Sequence, residues 1–184
     1  MDITLFPNKP NLFFKKIKSK ADFNSDSCDG YLIESDEKEI RRILDTLKAK
    51  KEKKLIAVQG KDDEFNRRMI ETCKINFLVS PENLGTDTLK QRGSGLNHVL
   101  AKAAKKNNIA VVINFSNFAS DKKQQALRIA RIMQNIIICR KSGCKIKIAT
   151  FAESQSQLRD ERELKSFLFS LGASSQQASD GCNF

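Results

Sequence analysis

The chain has 184 residues and a formal charge of +11, from 33 Lys and Arg against 22 Asp and Glu, an excess that favours a polyanionic partner such as nucleic acid. Forty per cent hydrophobic and 30% charged residues suit a globular domain with its own core; no apolar run approaches the ~20 residues that span a bilayer, and MDITLFPNKP has no basic segment followed by the apolar core of a signal peptide. One histidine and five irregularly spaced cysteines without a CxxC pair form no pattern of a zinc site or a disulfide framework, as expected in a reducing compartment.

Ile3 to Phe6 reads as a short strand closed by Pro7. Lys15, Lys16, Lys18 and Lys20 are interleaved with Phe13, Phe14 and Ile17. Such rings can stack bases, but the preferred reading packs them inward and leaves the amines in water. Asp22 to Gly30 is a polar loop, and Tyr31 to Ile33 a strand. Asp36 with Glu39 three residues on is a capping-box-like start for a helix buried through Ile40, Ile43, Leu44 and Leu47. The basic run at 48–54 ends it, as cations at a helix C-terminus should. Leu55 to Val58 is the next strand. Asp62 and Asp63 then open a helix with Phe65 and Met69 inward and Asn66, Arg67 and Arg68 projecting elsewhere. Ile75 to Val79 is a short apolar strand stopped at Ser80-Pro81.

Leu96, Val99, Leu100, Ala103 and Ala104 form the one-sided stripe of a helix lying on a sheet. Asn107-Asn108 stop it, and Ala110 to Phe115 return as a strand. From 121 to 141, Ala126, Ile129, Ala130, Met133, Ile136 and Ile137 predict a long helix. Leu127, Ile132 and Ile138 widen its apolar arc enough to predict contact with a further helix or a partner protein. Gly143 ends that helix, Ile146 to Ala149 is a strand, and Asp160 with Glu163 opens a last helix through Leu164, Phe167, Leu168 and Leu171. The boundaries read as one domain over 1–172 and a loose polar tail over 173–184.

Six strands alternating with helices predict an α/β fold with a parallel sheet. An open doubly wound sheet and a barrel both fit, although a regular eightfold barrel ordinarily uses more chain. In either, ligands bind beyond the carboxyl ends of the strands. That places interest on the polar segment Pro81 to Gly95, ending in Arg92-Gly93-Ser94-Gly95. Ser94 reads as the N-cap of the following helix, and Gly93 and Gly95 as points of close backbone approach. Such an end can bind phosphate or be merely capped. His98 reads either as an imidazole at the rim of the core or as a phosphate or ribose contact. There is no GxSxG, P-loop or GxGxxG motif, and one histidine cannot supply a multi-histidine metal cluster.

The segment KINFLVSPENLGTDTLKQRGSGLNHVLAKAAKKNNIAVVINFS, residues 74–116, resembles the central region of the ribonuclease P protein component 3 family of archaea and eukaryotes. That family carries a strand ending in a His/Ser-Pro-Glu-like turn, then Arg-x-Asp-Ser-Gly-[Leu/Ile]-Asn-His at the head of a helix. LIAVQG and NRR (66–68) before it, and IATFAES and LRDERELKSFLFSLG after it, extend the likeness over roughly Gly30 to Gly172. Gly93 stands where the family has Asp, and the loop from Leu84 to Lys90 looks enlarged.

The resemblance implies a distorted or incomplete TIM-like barrel. It also implies a non-catalytic protein subunit of ribonuclease P, in which the RNA, with Mg²⁺, removes the 5′ leader of precursor tRNA. No cofactor is expected in the chain itself. The implied partners are the ribonuclease P RNA, precursor tRNA through the complex, and protein component 2, with no membrane. The implied RNA contacts are Arg67, Arg92, His98 and Arg159, with Arg68, Lys106 and Lys141 as companions by charge and position. The location would be cytoplasmic for an archaeal chain and nuclear or nucleolar for a eukaryotic one. The alternative is a stand-alone α/β-barrel enzyme acting on a small anionic substrate.

Overall fold

The computed structural model of the chain describes residues 1–22, 27–50, 53–83, 87, 92–117 and 121–184. Parts of the polar loop at 22–30, of the basic run at 48–54 and of the expected enlarged loop at 84–90 lie outside these residues. The described strands are β1 (Ile3–Thr4), β2 (Leu12–Ile17), β3 (Gly30–Ile33), β4 (Leu55–Gln59), β5 (Phe77–Val79), β6 (Ala110–Asn114) and β7 (Ile146–Ala149). They pair in parallel and in chain order, β1 to β7. The two edges then meet. The Leu5 N–H donates to the Ala152 carbonyl at 2.7 Å, the Phe151 N–H donates to the Ile3 carbonyl at 2.9 Å, and Thr4 and Ala152 form a parallel bridge. A sheet whose last strand returns beside its first is a barrel. This one is TIM-like, nearly closed and seven-stranded, and the meeting of its edges rules out the open sheet.

The strand missed in the sequence is β2. Its lysines mask the period of two: Phe14 points into the barrel and Ile17 points under the helices, while Lys16 pairs with Glu34 at 2.9 Å on the surface. Around the ring, Ile3, Phe14, Leu32, Ala57, Phe77, Val79, Ala110, Val112, Ala149 and Phe151 fill the barrel. The alternate positions, among them Tyr31, Ile56, Val58, Leu78, Val111 and Ile148, lie beneath the helices, as strand geometry requires. Ala57, Ala110 and Ala149 leave space for the rings of Phe14 and Phe77, whose centroids are 6.3 Å apart.

Outside lie α1 (Glu37–Ala49), α2 (Asp63–Thr72), α3 (His98–Lys106), α4 (Lys122–Ser142), α5 (Glu161–Ser170) and α6 (Ser175–Gly181). Asp36 and Asp62 cap α1 and α2 by accepting from the Glu39 and Phe65 N–H groups at 2.8 and 2.9 Å. The Glu39 carboxylate does not complete a capping box with Asp36; it accepts from the Lys20 N–H at 2.8 Å and from Arg42 at 3.3 Å. Asp160 and Glu163 form a complete capping box on α5. No helix of the described residues is long and apolar enough to cross a membrane.

Three expectations are corrected. Residues 173–184 are not a loose tail: Ser174 and Gln177 form a capping box on α6, Ala178 and Cys182 are buried, and the Phe184 ring meets Phe77 edge-on at 5.7 Å at the floor of the barrel. In α3 the buried residues are Leu100, Ala101 and Ala104, while Val99 is 72% exposed. The stripe was phased from Leu96, which is buried but precedes the helix and so cannot set its phase. In α4 the buried face carries Arg128, Arg131, Ile132, Asn135, Ile136, Ile138, Cys139 and Ser142, and Met133 and Ile137 turn outward.

Candidate functional site

The carboxyl ends of β5 and β6 and the described residues that follow β5, 81–83, 87 and 92–97, form one side of the mouth of the barrel. Ser80, held at φ 47°, accepts on its hydroxyl from the Asn114 N–H and from the Arg128 guanidinium, each at 3.2 Å. Arg128 also donates to the Asn114 carbonyl at 2.9 Å and pairs with Glu82 at 3.1 Å. Glu82 is 1% exposed and Arg128 7%. Burial pushes the Glu82 carboxyl above the usual range, opposed by the Arg128 charge. A buried charge persists only when paired in this way.

The next turns of α4 continue the same task. Arg131 donates to Asp87 at 2.8 Å and to the Glu82 carbonyl at 3.2 Å. The Asp87 carboxylate accepts from the Gly93 N–H at 2.8 Å, and that bond, with Arg131, holds it below the usual range. Asn135 donates to the Ser94 carbonyl at 2.9 Å. Arg128, Arg131 and Asn135 stand at i, i+3 and i+7, one face of a helix, and each holds a different point of the segment that follows β5.

From the other side, the fully buried Asn66 of α2 donates to the Gly95 carbonyl at 3.2 Å and to the Lys61 carbonyl at 3.1 Å, and accepts from the Lys61 N–H at 2.9 Å. Asn66 therefore does not project to solvent as its neighbours do. Gly95 sits at φ 69°, and a Cβ there would lie 2.0 Å from the Pro81 carbonyl. The close approach that glycine permits is to the protein's own backbone. Ser94 is not the N-cap of α3: its hydroxyl donates to the Leu96 carbonyl at 3.1 Å, and Asn97 caps the helix by accepting from the Leu100 N–H at 2.9 Å.

The candidate RNA contacts are dispersed. Arg67 is exposed on α2 and pairs with Glu71 at 3.1 Å. Arg68 pairs with Glu64 on its own helix and with Glu37 of α1. Arg92 and His98 are both exposed and line one cleft between α3 and α4. His98 is thus not an imidazole at the rim of the core. Lys106 is the last residue of α3 and Lys141 the last but one of α4, so both lie at the opposite end of the barrel from the mouth. Arg159 is exposed in the β7–α5 connection, beside Asp2 and Asn11. Of the seven, the cleft brings together Arg92 and His98.

Of the residues that build the mouth, Glu82 and Asn66 fall in the Ser-Pro-Glu-like turn and the NRR motif, whereas Arg128, Arg131 and Asn135 were not singled out from the sequence. The signal available was the polar series Arg128, Arg131, Asn135 at helical spacing inside an otherwise apolar helix. Among the described residues no group of three or more His, Cys, Asp or Glu could hold a metal ion.

A family model described as RNase P subunit p30 matches residues 31–183. The chain is 24% identical over 141 residues to Ribonuclease P protein component 3 of Methanococcus vannielii, covering 76% of this chain and 58% of that protein. It is 27% identical over 118 residues to the protein of the same name from Methanocaldococcus jannaschii, covering 64% and 48%. The chain spans about half the length of the curated relatives it matches. In fold it is similar to a chain in a cryo-EM structure of archaeal ribonuclease P with mature tRNA, with a TM-score of 0.73 at 23% identity over 97% of this chain and 85% of that one. It is also similar to an amidohydrolase, with a TM-score of 0.59 at 13% identity over 85% and 41%.

Proposed function

The chain belongs to the RNase P subunit p30 family, and from that premise we propose that it is a protein subunit that helps a catalytic RNA remove the 5′ leader from precursor tRNA. The match over residues 31–183 carries this reading, and the +11 charge supports it. In this role the protein neutralises phosphate, the RNA uses the Mg²⁺, and the chain itself needs no cofactor. Its partners are the ribonuclease P RNA, precursor tRNA through the complex, and protein component 2. The named relatives are archaeal, which supports a cytoplasmic location.

Arg67 and Arg159 would act as separate phosphate contacts spread over a large RNA surface, with Arg68, Lys106 and Lys141 as companions; Arg92 and His98, the other two contacts the resemblance implies, share one cleft. The rival reading, an enzyme for a small anion, draws no support from the mouth, where the Arg128 guanidinium is already paired with Glu82 in the interior.

The test is precursor-tRNA cleavage with the cognate RNA, with and without this protein and component 2. The expected result is no cleavage by the protein without RNA, and cleavage at lower Mg²⁺ when the proteins join the RNA. Cleavage by the RNA-free protein that disappears in His98→Ala would overturn the reading. In RNA binding across a salt series, Arg67→Ala and Arg159→Ala should each flatten the slope of log K against log salt by about 0.7 to 0.9. Lys at either position should restore binding only in part, because it lacks the planar fork of Arg.

A further inference from the structure

Val99, Met133 and Ile137 are 72%, 39% and 41% exposed. Met133 and Ile137 are one turn apart on α4, and with Leu96 they line a cleft of about 450 Å³ between α3 and α4. Val99 stands next to His98 in the first turn of α3. Met133 and Ile137 thus present exposed apolar surface on one wall of this cleft. The other face of α4 carries Arg128, Arg131 and Asn135, whose bonds fix the segment leading into α3. Both walls are thus held in place, and a preformed groove binds with little ordering cost.

We propose that this cleft is a docking groove for a short apolar helix of a partner protein, flanked by carboxylates. The inference rests on the reading of the chain as one subunit of a larger particle. An amphipathic helix laid in a groove anchors through apolar residues three and four apart, and the aliphatic walls suit such anchors. The chemistry of the rim selects the flanks. The Arg92 guanidinium and the His98 imidazole border the cleft, and no described acidic residue lines it, so carboxylates are the complement.

Two other occupants fit less well. A nucleotide base stacks best on Phe, Tyr or Trp, none of which lines the cleft among the described residues; the one ring there is the His98 imidazole, beside the aliphatic side chains of Leu96, Met133, Ile137 and Ile138. A second copy of this chain would set one +11 molecule against another, with the two Arg92 rims facing across the twofold axis. In the proposed arrangement Arg92 and His98 meet protein carboxylates, and the phosphate contacts fall to basic residues elsewhere.

A photoreactive side chain settles the occupant. Ile137→p-benzoylphenylalanine, at an exposed site, is assembled with the complete set of cognate ribonuclease P proteins and RNA, irradiated, and the adduct is mapped by mass spectrometry. The expected adduct is to a protein subunit, in a segment with apolar residues three or four apart and Asp or Glu at its flanks. An adduct to RNA, an adduct to a second copy of this chain, or none while the chain is in the particle would each overturn the proposal. A chain that never enters the particle sinks the subunit reading and this proposal with it. As a second measurement, Ile137→Glu and Arg92→Glu should each weaken binding to the cross-linked subunit about tenfold or more, as loss of a central anchor does. Phe169→Glu, at a surface site on α5 that is 49% exposed, should not. Equal effects of all three would also overturn it.

Discussion

Two carboxylates of one connection, Glu82 and Asp87, are displaced in opposite directions. Burial raises the pKa of Glu82; the Gly93 N–H and then Arg131 lower that of Asp87. The linkage follows the sign of each. A carboxyl held below its unfolded value adds stability above the ordinary range, around 3.9 for Asp, and loses it as pH falls through the folded value. Asp87→Asn should therefore lower the melting temperature at neutral pH, and the gap from the unsubstituted chain should close on acidification below about 3.9. A gap that persists there would mean that Asp87 acts by shape and not by charge. The raised Glu82 works the other way: its share of stability is present in acid and is lost as pH rises through its folded pKa. Its partner still makes removal costly. Glu82→Gln removes the carboxylate that faces the buried Arg128 guanidinium, and the expected loss at neutral pH is about 3–5 kcal/mol by denaturant titration. This ion pair joins two residues 46 apart, which no local pattern encodes. Gly95 was legible as a point of close approach, but the group that approaches it, the Pro81 carbonyl, was not.

Helix α4 shows why periodicity placed this element and misphased its face. Its extent and its stop at Gly143, φ 67°, agree with the pattern to within a residue or two, and Asp121 caps its start. The stripe was read by counting apolar side chains, so Met133 and Ile137 were turned inward. In the fold, Arg128, Arg131 and Asn135 take the inner face because the mouth supplies a partner for each, and a satisfied polar group can occupy the interior. The surplus of apolar residues that predicted a second contact is then the part left outside. The contrast can be measured. Ile132→Ala, at a fully buried position, should cost about 2–4 kcal/mol through the cavity it leaves. Ile137→Ala should cost no more than about 0.5 kcal/mol. Similar costs at the two positions would return Ile137 to the core.

At the scale of the whole molecule, alternation alone left an open sheet almost as admissible as a barrel, and the barrel was legible through the resemblance carried by the 74–116 segment. What decides closure is contact between residues about 150 apart: Phe151 with Ile3, Leu5 with Ala152, and the Asp2 carboxylate with the Thr150 N–H at 2.9 Å. The floor of the barrel was hidden for a different reason. SSQQASD carries little apolar signal, yet Ala178 and Cys182, four apart, bury one side of α6, and the chain then delivers Phe184 against Phe77, with the Lys147 amine 4.7 Å from the centre of its ring. The last twelve residues should therefore carry stability. Phe184→Ala should cost on the order of 1–2 kcal/mol, part of the burial energy of an aromatic ring. Truncation after Gly172 should cost more, because it also uncovers Ile146 and Leu168, which Gly181 overlies. Thermal melts of the two variants check this: an unchanged midpoint in the truncated chain is what a loose tail would give, whereas a small drop for Phe184→Ala and a larger one for the truncation is what a floor held by both α6 and Phe184 requires.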